Sequence, residues 1–213
     1  NAVGGGNTSV NANGQFLGGT GALRGLLGPL MSVPGARLTT LTSKPYLSMQ
    51  LLLAGCSTIG LNACHTAGTS PGGTLPREGF RAKSDYVTRP LNAAGRAAMI
   101  TAIERRSVQP GSGALLLDSY GGAINRVAPH ATAFVHRNTL FCIQYLTYNG
   151  GGAWLGQTHA AMRRYVSGQA YQNYIDRDLA HWQQAYYGSN YPRLVGIRRR
   201  VDPHHFFKFP QAI

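Results

Sequence analysis

Two short apolar runs constrain this chain more than anything else in it. Residues 114–120 read ALLLDSY and residues 140–148 read LFCIQYLTY. Each has the length of a buried strand, well below the ~18 apolar residues that a membrane-spanning helix needs. No other stretch of the 213 residues reaches that length, so the chain is expected to be soluble, without a membrane partner. A third strand is expected at residues 80–87, FRAKSDYV. Between strands, residues 91–106 place Ala94, Ala98, Met99, Ala102 and Ile103 on one helical side. Trp154, Thr158, Ala161, Met162 and Tyr165 space another helix. Strands and helices alternate without a βαβ rhythm or a repeat, which predicts an α+β fold with an antiparallel sheet covered by helices.

The remaining segments read more weakly. Residues 9–16 alternate loosely, as a strand would, and residues 21–30 read as a helix stopped near Gly28-Pro29. Residues 44–54 read as helix and residues 55–79 as loop. Residues 121–137 suit a turn and a further short strand. A helix is expected after Asp176, where Asp176 and Asp178 would favour a positive helix start. Residues 193–213 gather aromatics around the Asp202-Pro203 turn.

Charge raises a different question. Twenty Lys and Arg against seven acids give a net +13. Apart from Arg198-Arg199-Arg200 the basic residues are scattered, and no aromatic–basic interleaving resembles a base-stacking platform, so nucleic acid is not an expected partner. The excess fits a chain whose acidic counterpart lies elsewhere in a longer protein. Three Lys among many Arg, with abundant Ala and Gly, also fits GC-rich coding. The opening NAVGGGNTSV has neither a basic nor an apolar targeting region, so a signal would have been removed or never belonged to it. Cys56 and Cys64, eight residues apart in GCSTIGLNACH, suit a local disulfide better than a metal knuckle, since no CxxC is present. That bridge implies an oxidising, secreted setting, and no metal site is expected. Cys142, inside an apolar run, reads as a buried thiol.

Several familiar catalytic signals do not hold. Gly68-Thr69-Ser70-Pro71-Gly72 matches GxSxG, but no strand leads into it. Gly19, Gly21 and Gly25 imitate a dinucleotide fingerprint without the acid about twenty residues on. Of the seven acids, Asp176 and Asp178 read as helix-start residues and Asp202 as a turn residue. Glu104 sits among arginines, while Glu78 and Asp85 neighbour Arg77 and Lys83. Asp118, after Leu115-Leu116-Leu117, is either a strand-end turn residue or an acid pointing into a site. If buried, it needs a partner. Tyr171-Gln172-Asn173-Tyr174 sets four hydrogen-bonding residues in a row; in an extended segment Tyr171 and Asn173 would share a face.

The tail AYQNYIDRDLAHWQQAYYGSNYPRLVGIRRRVDPHHFFKFPQAI resembles the carboxy-terminal segment of the berberine-bridge-enzyme-like flavin oxidases. It carries Tyr-x-Asn-Tyr-x-Asp, Trp, Tyr-Tyr-Gly-x-Asn-Tyr, Asp-Pro-x-x-x-Phe and Gln-x-Ile in order. The resemblance extends upstream through AGCSTIGLNACH, AKSDYV, SYGGAINRV and TAFVHRNTLFCIQY. It implies FAD as cofactor, but nothing here matches the family's flavin-binding half, which tethers FAD through a His and usually a Cys. The expected partner is therefore a companion FAD-binding chain or an amino-terminal half. Residues 1–165 would be the substrate-binding domain and residues 166–213 the segment completing the FAD domain.

The resemblance also implies roles. Tyr171 and Asn173 would contact the flavin, Tyr174 would be the catalytic base and Asp118 its assistant. Tyr120, Gln144 and Cys142 would line the substrate site, with Cys142 replacing a frequent polar or charged residue. The implied reaction is oxidation of an alcohol, foremost the anomeric hydroxyl of an oligosaccharide, with hydride passing to flavin and dioxygen leaving as peroxide. A natural-product tailoring oxidase is the alternative within the family. A ligand-binding fragment, inactive by itself, is the alternative outside it.

Overall fold

The computed structural model describes residues 1–68 and 72–213; Ser70 of the GxSxG match lies outside the described residues. The chain divides into two compact units, residues 11–78 and residues 1–10 with 79–213.

The first unit holds α1 (Thr20–Met31) and α2 (Tyr46–Leu53). Helix α1 does not stop at Gly28-Pro29 as expected but runs through Pro29. Proline forfeits one backbone bond there, in the last turn, where the helix has little left to lose. The Ser32 amide then donates to the Gly28 carbonyl at 3.0 Å and its hydroxyl to the Pro29 carbonyl at 2.8 Å, closing the end. Beyond α2, Cys56 and Cys64 form the expected disulfide, with Cα atoms 5.8 Å apart. Residues 9–16 form no strand. Asn11, Asn13 and Gly14 are poor strand formers, and tertiary pairing does not rescue them.

The second unit is built on a five-stranded antiparallel sheet, confirming the α+β reading. Its strands are β1 (Ala2–Val3), β2 (Asn7–Thr8), β3 (Phe80–Val87), β4 (Ser112–Ser119) and β5 (Phe141–Tyr148), in the order β2-β1-β4-β5-β3. Helix α3 (Ala93–Ser107) is capped by Asn92, whose Oδ1 accepts from the Gly95 amide at 2.8 Å. Residues 121–137 form the short helix α4 (Gly122–Arg126) and no strand. The Arg137 guanidinium donates to the Phe134 and Ile124 carbonyls in this segment.

Helices α3 and α5 (Gly152–Met162) cover one sheet face. Val87, Leu115, Ile143 and Tyr145 pack there against Trp154, Leu155 and Met162. Trp154 Nε1 donates to the Ala102 carbonyl at 2.7 Å, tying the two helices together. The chain ends with α6 (Trp182–Tyr187) and α7 (Tyr191–Val201). The helix expected from Asp176 begins only at Trp182, while the Asp176 carboxylate serves both its own turn and an ion pair. It accepts from Lys83 Nζ at 2.8 and 2.9 Å and from the Asp178 amide at 3.1 Å. Helix α7 was not anticipated. Its Arg198 holds the tail through the Phe207 and Ile213 carbonyls and through Asp202.

Candidate active site

Strand alternation sends every second residue to the sheet face that α3 and α5 leave uncovered. Asp118, Cys142 and Tyr86 stand in one cross-strand row, and Leu116, Gln144 and Ser84 in the next. Three sequence-predicted residues, Asp118, Cys142 and Gln144, therefore share this face. Tyr120 follows β4 directly, its amide bonded to the Leu140 carbonyl at 2.8 Å.

The segment before α6 reaches the same face. The Tyr171 amide donates to Ser84 Oγ at 3.0 Å, while the Tyr86 amide and carbonyl pair with Gln169 and Ser167. Residues 171–174 are not extended, contrary to expectation. The Tyr174 amide donates to the Tyr171 carbonyl at 3.0 Å, closing a turn. Tyr171 and Asn173 are thus brought together by a direct bond, Asn173 Nδ2 to the Tyr171 hydroxyl at 2.8 Å, and not by strand alternation. The turn also stacks Tyr171 edge-on to Tyr174, centroids 5.0 Å apart.

An aromatic cluster forms around Tyr86, which is fully buried. Tyr120, Phe134 and Tyr171 meet its ring edge to face, and His136 stacks on it with centroids 4.1 Å apart. Tyr86 and Tyr120 join hydroxyls at 3.2 Å. Sequence reading overlooked Tyr86 and His136. The alternation of β3 puts Tyr86 in line with Cys142, but only the chain path from residue 134 to 136 brings the imidazole over it.

Electrostatics here favour neutral phenols. Burial, followed by the charge of Asp118 and by Cys142, pushes the Tyr174 phenol up to about 12. Burial, then Asp118 and Asp85, pushes the Cys142 thiol up to about 12, so it is an unreactive thiol at neutral pH. Burial lowers the His136 imidazole, against the opposing hydrogen bonds to Gln169 and Tyr186. Asp118 is exposed at the strand end, and no hydrogen bond joins it to Tyr174. The two interact through space.

Asp85 was misread. Its partner is not the neighbouring Lys83, and it is wholly buried on the helix-covered face. Arg163 Nη1 lies 2.7 Å from Oδ1; His159 Nε2 and the Tyr145 hydroxyl lie 3.2 and 3.1 Å from Oδ2. The spacing of His159 and Arg163, one helical turn apart, was the available sign. Lys83 pairs instead with Asp176. Among the described residues no cluster of three or more His, Cys, Asp or Glu could hold a metal ion, and no helix is long and apolar enough to cross a membrane.

Residues 170–213, which include Tyr171, Asn173 and Tyr174, match the family model described as "Berberine and berberine like". Monolignol oxidoreductase AtBBE-like 13 of Arabidopsis thaliana is 28% identical over 96% of this chain and 41% of its own length. The FAD-linked oxidoreductase YgaK of Bacillus subtilis is 27% identical over 96% of the chain and 43% of its own. The solved structure of Physcomitrella patens BBE-like 1 superposes with a TM-score of 0.74 at 32% identity, over 92% of this chain and 42% of that one. A glycopeptide hexose oxidase, DBV29, solved with teicoplanin, gives 0.59 at 26% identity over 68% and 34%. The chain thus spans a little under half the length of the curated relatives it matches. With its antiparallel sheet and its matched tail, the chain is similar to the berberine-bridge-enzyme-like FAD-linked oxidoreductases, the family model matching residues 170–213.

Proposed function

We propose that residues 1–165 form the substrate-binding part, and residues 166–213 the flavin-completing segment, of a secreted FAD-dependent oxidase acting on an alcohol. The observation that carries this reading is the Tyr171–Tyr174 turn, which folds the family-matched segment onto the sheet face bearing Asp118, Cys142 and Tyr120. The disulfide supports an oxidising compartment. An anomeric hydroxyl of an oligosaccharide is the leading substrate, supported by the hexose oxidase among the similar structures. The aromatic lining favours a second reading, a tailoring oxidase for a more apolar natural product.

The residues present suit one edge of a flavin. Asn173 and the Tyr171 hydroxyl offer a mixed donor and acceptor set, and Gln172 Oε1 is a buried acceptor without a partner among the described residues. Tyr171, Asn173 and Gln172 would hold that edge, while the remainder of FAD would be held by a companion chain or an amino-terminal half. Bound FAD supplies the hydride acceptor, and dioxygen takes the electrons away as peroxide.

Proton handling falls to this chain. A tyrosine raised to about 12 is protonated at neutral pH, and the nearby Asp118 charge opposes its ionisation. Tyr174 therefore does not serve as a preformed tyrosinate. It accepts the substrate hydroxyl proton while passing its own to the Asp118 carboxylate, directly or through a water, as hydride leaves the same carbinol carbon. The negative charge of Asp118 thus leaves with the hydride, the substrate oxygen ending as a neutral carbonyl, without a free phenolate. In the complete flavoprotein, Tyr174→Phe should slow flavin reduction about 10²- to 10⁴-fold in stopped-flow absorbance. Asp118→Asn, which takes away the acceptor of the Tyr174 proton, should slow it by a comparable factor. Unchanged reduction in Tyr174→Phe would end this assignment, and peroxide from reducing sugars, compared with apolar alcohols, decides the substrate class.

A further inference from the structure

The Tyr86–Tyr120 hydroxyl pair has a determined polarity. Tyr86 is 0% exposed, and its hydroxyl has a single partner among the described residues, the Tyr120 hydroxyl at 3.2 Å. A buried hydroxyl that only accepted would leave its proton unpaired at the full desolvation cost. Tyr86 must therefore donate. Tyr120 then receives that bond, and its own proton has to point elsewhere. Tyr120 is partly exposed, its hydroxyl has no other partner among the described residues, and it lies within electrostatic reach of Asp118, Cys142 and Tyr174. Stacking on His136 and edge contacts with Phe134 and Tyr171 keep the Tyr86 ring from turning its hydroxyl away.

We propose that Tyr86 is a positioning residue that fixes the Tyr120 hydroxyl as an outward donor to a substrate oxygen next to the oxidised carbinol. This rests on the alcohol-oxidase reading and adds a requirement to it: the preferred substrate carries a vicinal acceptor oxygen. Burial holds the Tyr86 phenol protonated well above the usual range, so the polarity persists at any working pH.

The test uses the complete flavoprotein with a reducing glucose disaccharide and its 2-deoxy analogue. Wild type should show a KM for the disaccharide about 3- to 10-fold below that for the deoxy analogue, the worth of one hydrogen bond. Tyr86→Phe should raise the disaccharide KM by the same factor, leave the deoxy KM unchanged and alter kcat by less than about twofold. Tyr120→Phe should raise the disaccharide KM by the same factor, and the double variant no more than either, since both remove one bond. Equal KM values for the two sugars in wild type, or an equal rise for both in Tyr86→Phe, would overturn the inference while leaving the oxidase reading in place. Oxidation of neither sugar would instead defeat the oligosaccharide reading, and this inference with it. Should Tyr86→Phe lose its fold by circular dichroism, Tyr120→Phe carries the same comparison.

Discussion

Asp85 shows how much a single carboxylate can be required to do when it is fully buried. Arg163 pairs with one of its oxygens and the Tyr145 hydroxyl donates to the other, with His159 Nε2 lying 3.2 Å from that second oxygen without a hydrogen bond. Removing it strands Arg163 and leaves Tyr145 without an acceptor. Arg163 is 41% exposed and can turn toward water, which limits the penalty to the low end of the range for broken buried pairs. Asp85→Ala should therefore destabilise the sheet unit by about 3 kcal/mol in urea denaturation. Arg163→Met should cost at least as much, because the carboxylate it abandons cannot reach solvent. A loss within about 0.5 kcal/mol in either variant would mean that the pair holds nothing together.

At the scale of elements, the tail is attached to the sheet mainly through polar contacts. Ser84, Tyr86 and Lys83 of β3 hold residues 167–176, and His136 bridges to Gln169 and to the Tyr186 carbonyl of α6. The His136 ring nitrogens face two oxygens, Nδ1 that of Gln169 Oε1 at 2.9 Å and Nε2 the Tyr186 carbonyl at 3.0 Å. Burial lowers the folded His136 pKa below 6.5, so between the two values the unfolded chain binds the extra proton. This contribution is complete above about pH 6.5 and fades as pH falls toward the folded value. The thermal midpoint should accordingly drop between about pH 7.5 and about pH 5, and His136→Phe, which keeps the stacking, should flatten that drop. A pH dependence identical in wild type and variant would assign it to other groups.

Taken whole, the chain carries +13 and presents Phe206, Phe207 and Phe209 at 83, 66 and 59% exposure near its end. Such a concentration of exposed aromatics is unusual for a finished surface. It agrees with the proposal that a companion portion of the oxidase covers the tail and contributes most of the flavin contacts. By itself, the chain should form no stable yellow complex when mixed with FAD and passed through a desalting column. A retained flavin absorbance would show that these 213 residues bind the cofactor unaided.

Much of the framework was legible beforehand because it depends on local periodicity. Strand β3 falls on the predicted residues 80–87, and β4, β5, α3 and α5 lie within a few residues of their expected places. The Cys56–Cys64 bridge was legible for the same reason, since eight residues hold the two thiols near each other. What the sequence could not settle were the features that depend on partners distant in the chain. Asp176 and Asp178 have the composition of a helix start, yet Lys83, 93 residues away from Asp176, pairs with its carboxylate and the helix starts only at Trp182. Tyr171 and Asn173 have the spacing of a shared strand face, yet a turn produced their contact. Asp85 reads as a neighbour of Lys83 until α5 and the residue after it bring His159 and Arg163 to it. Periodicity is written into neighbouring residues, whereas the value of a charge or a hydroxyl depends on which distant group removes its water.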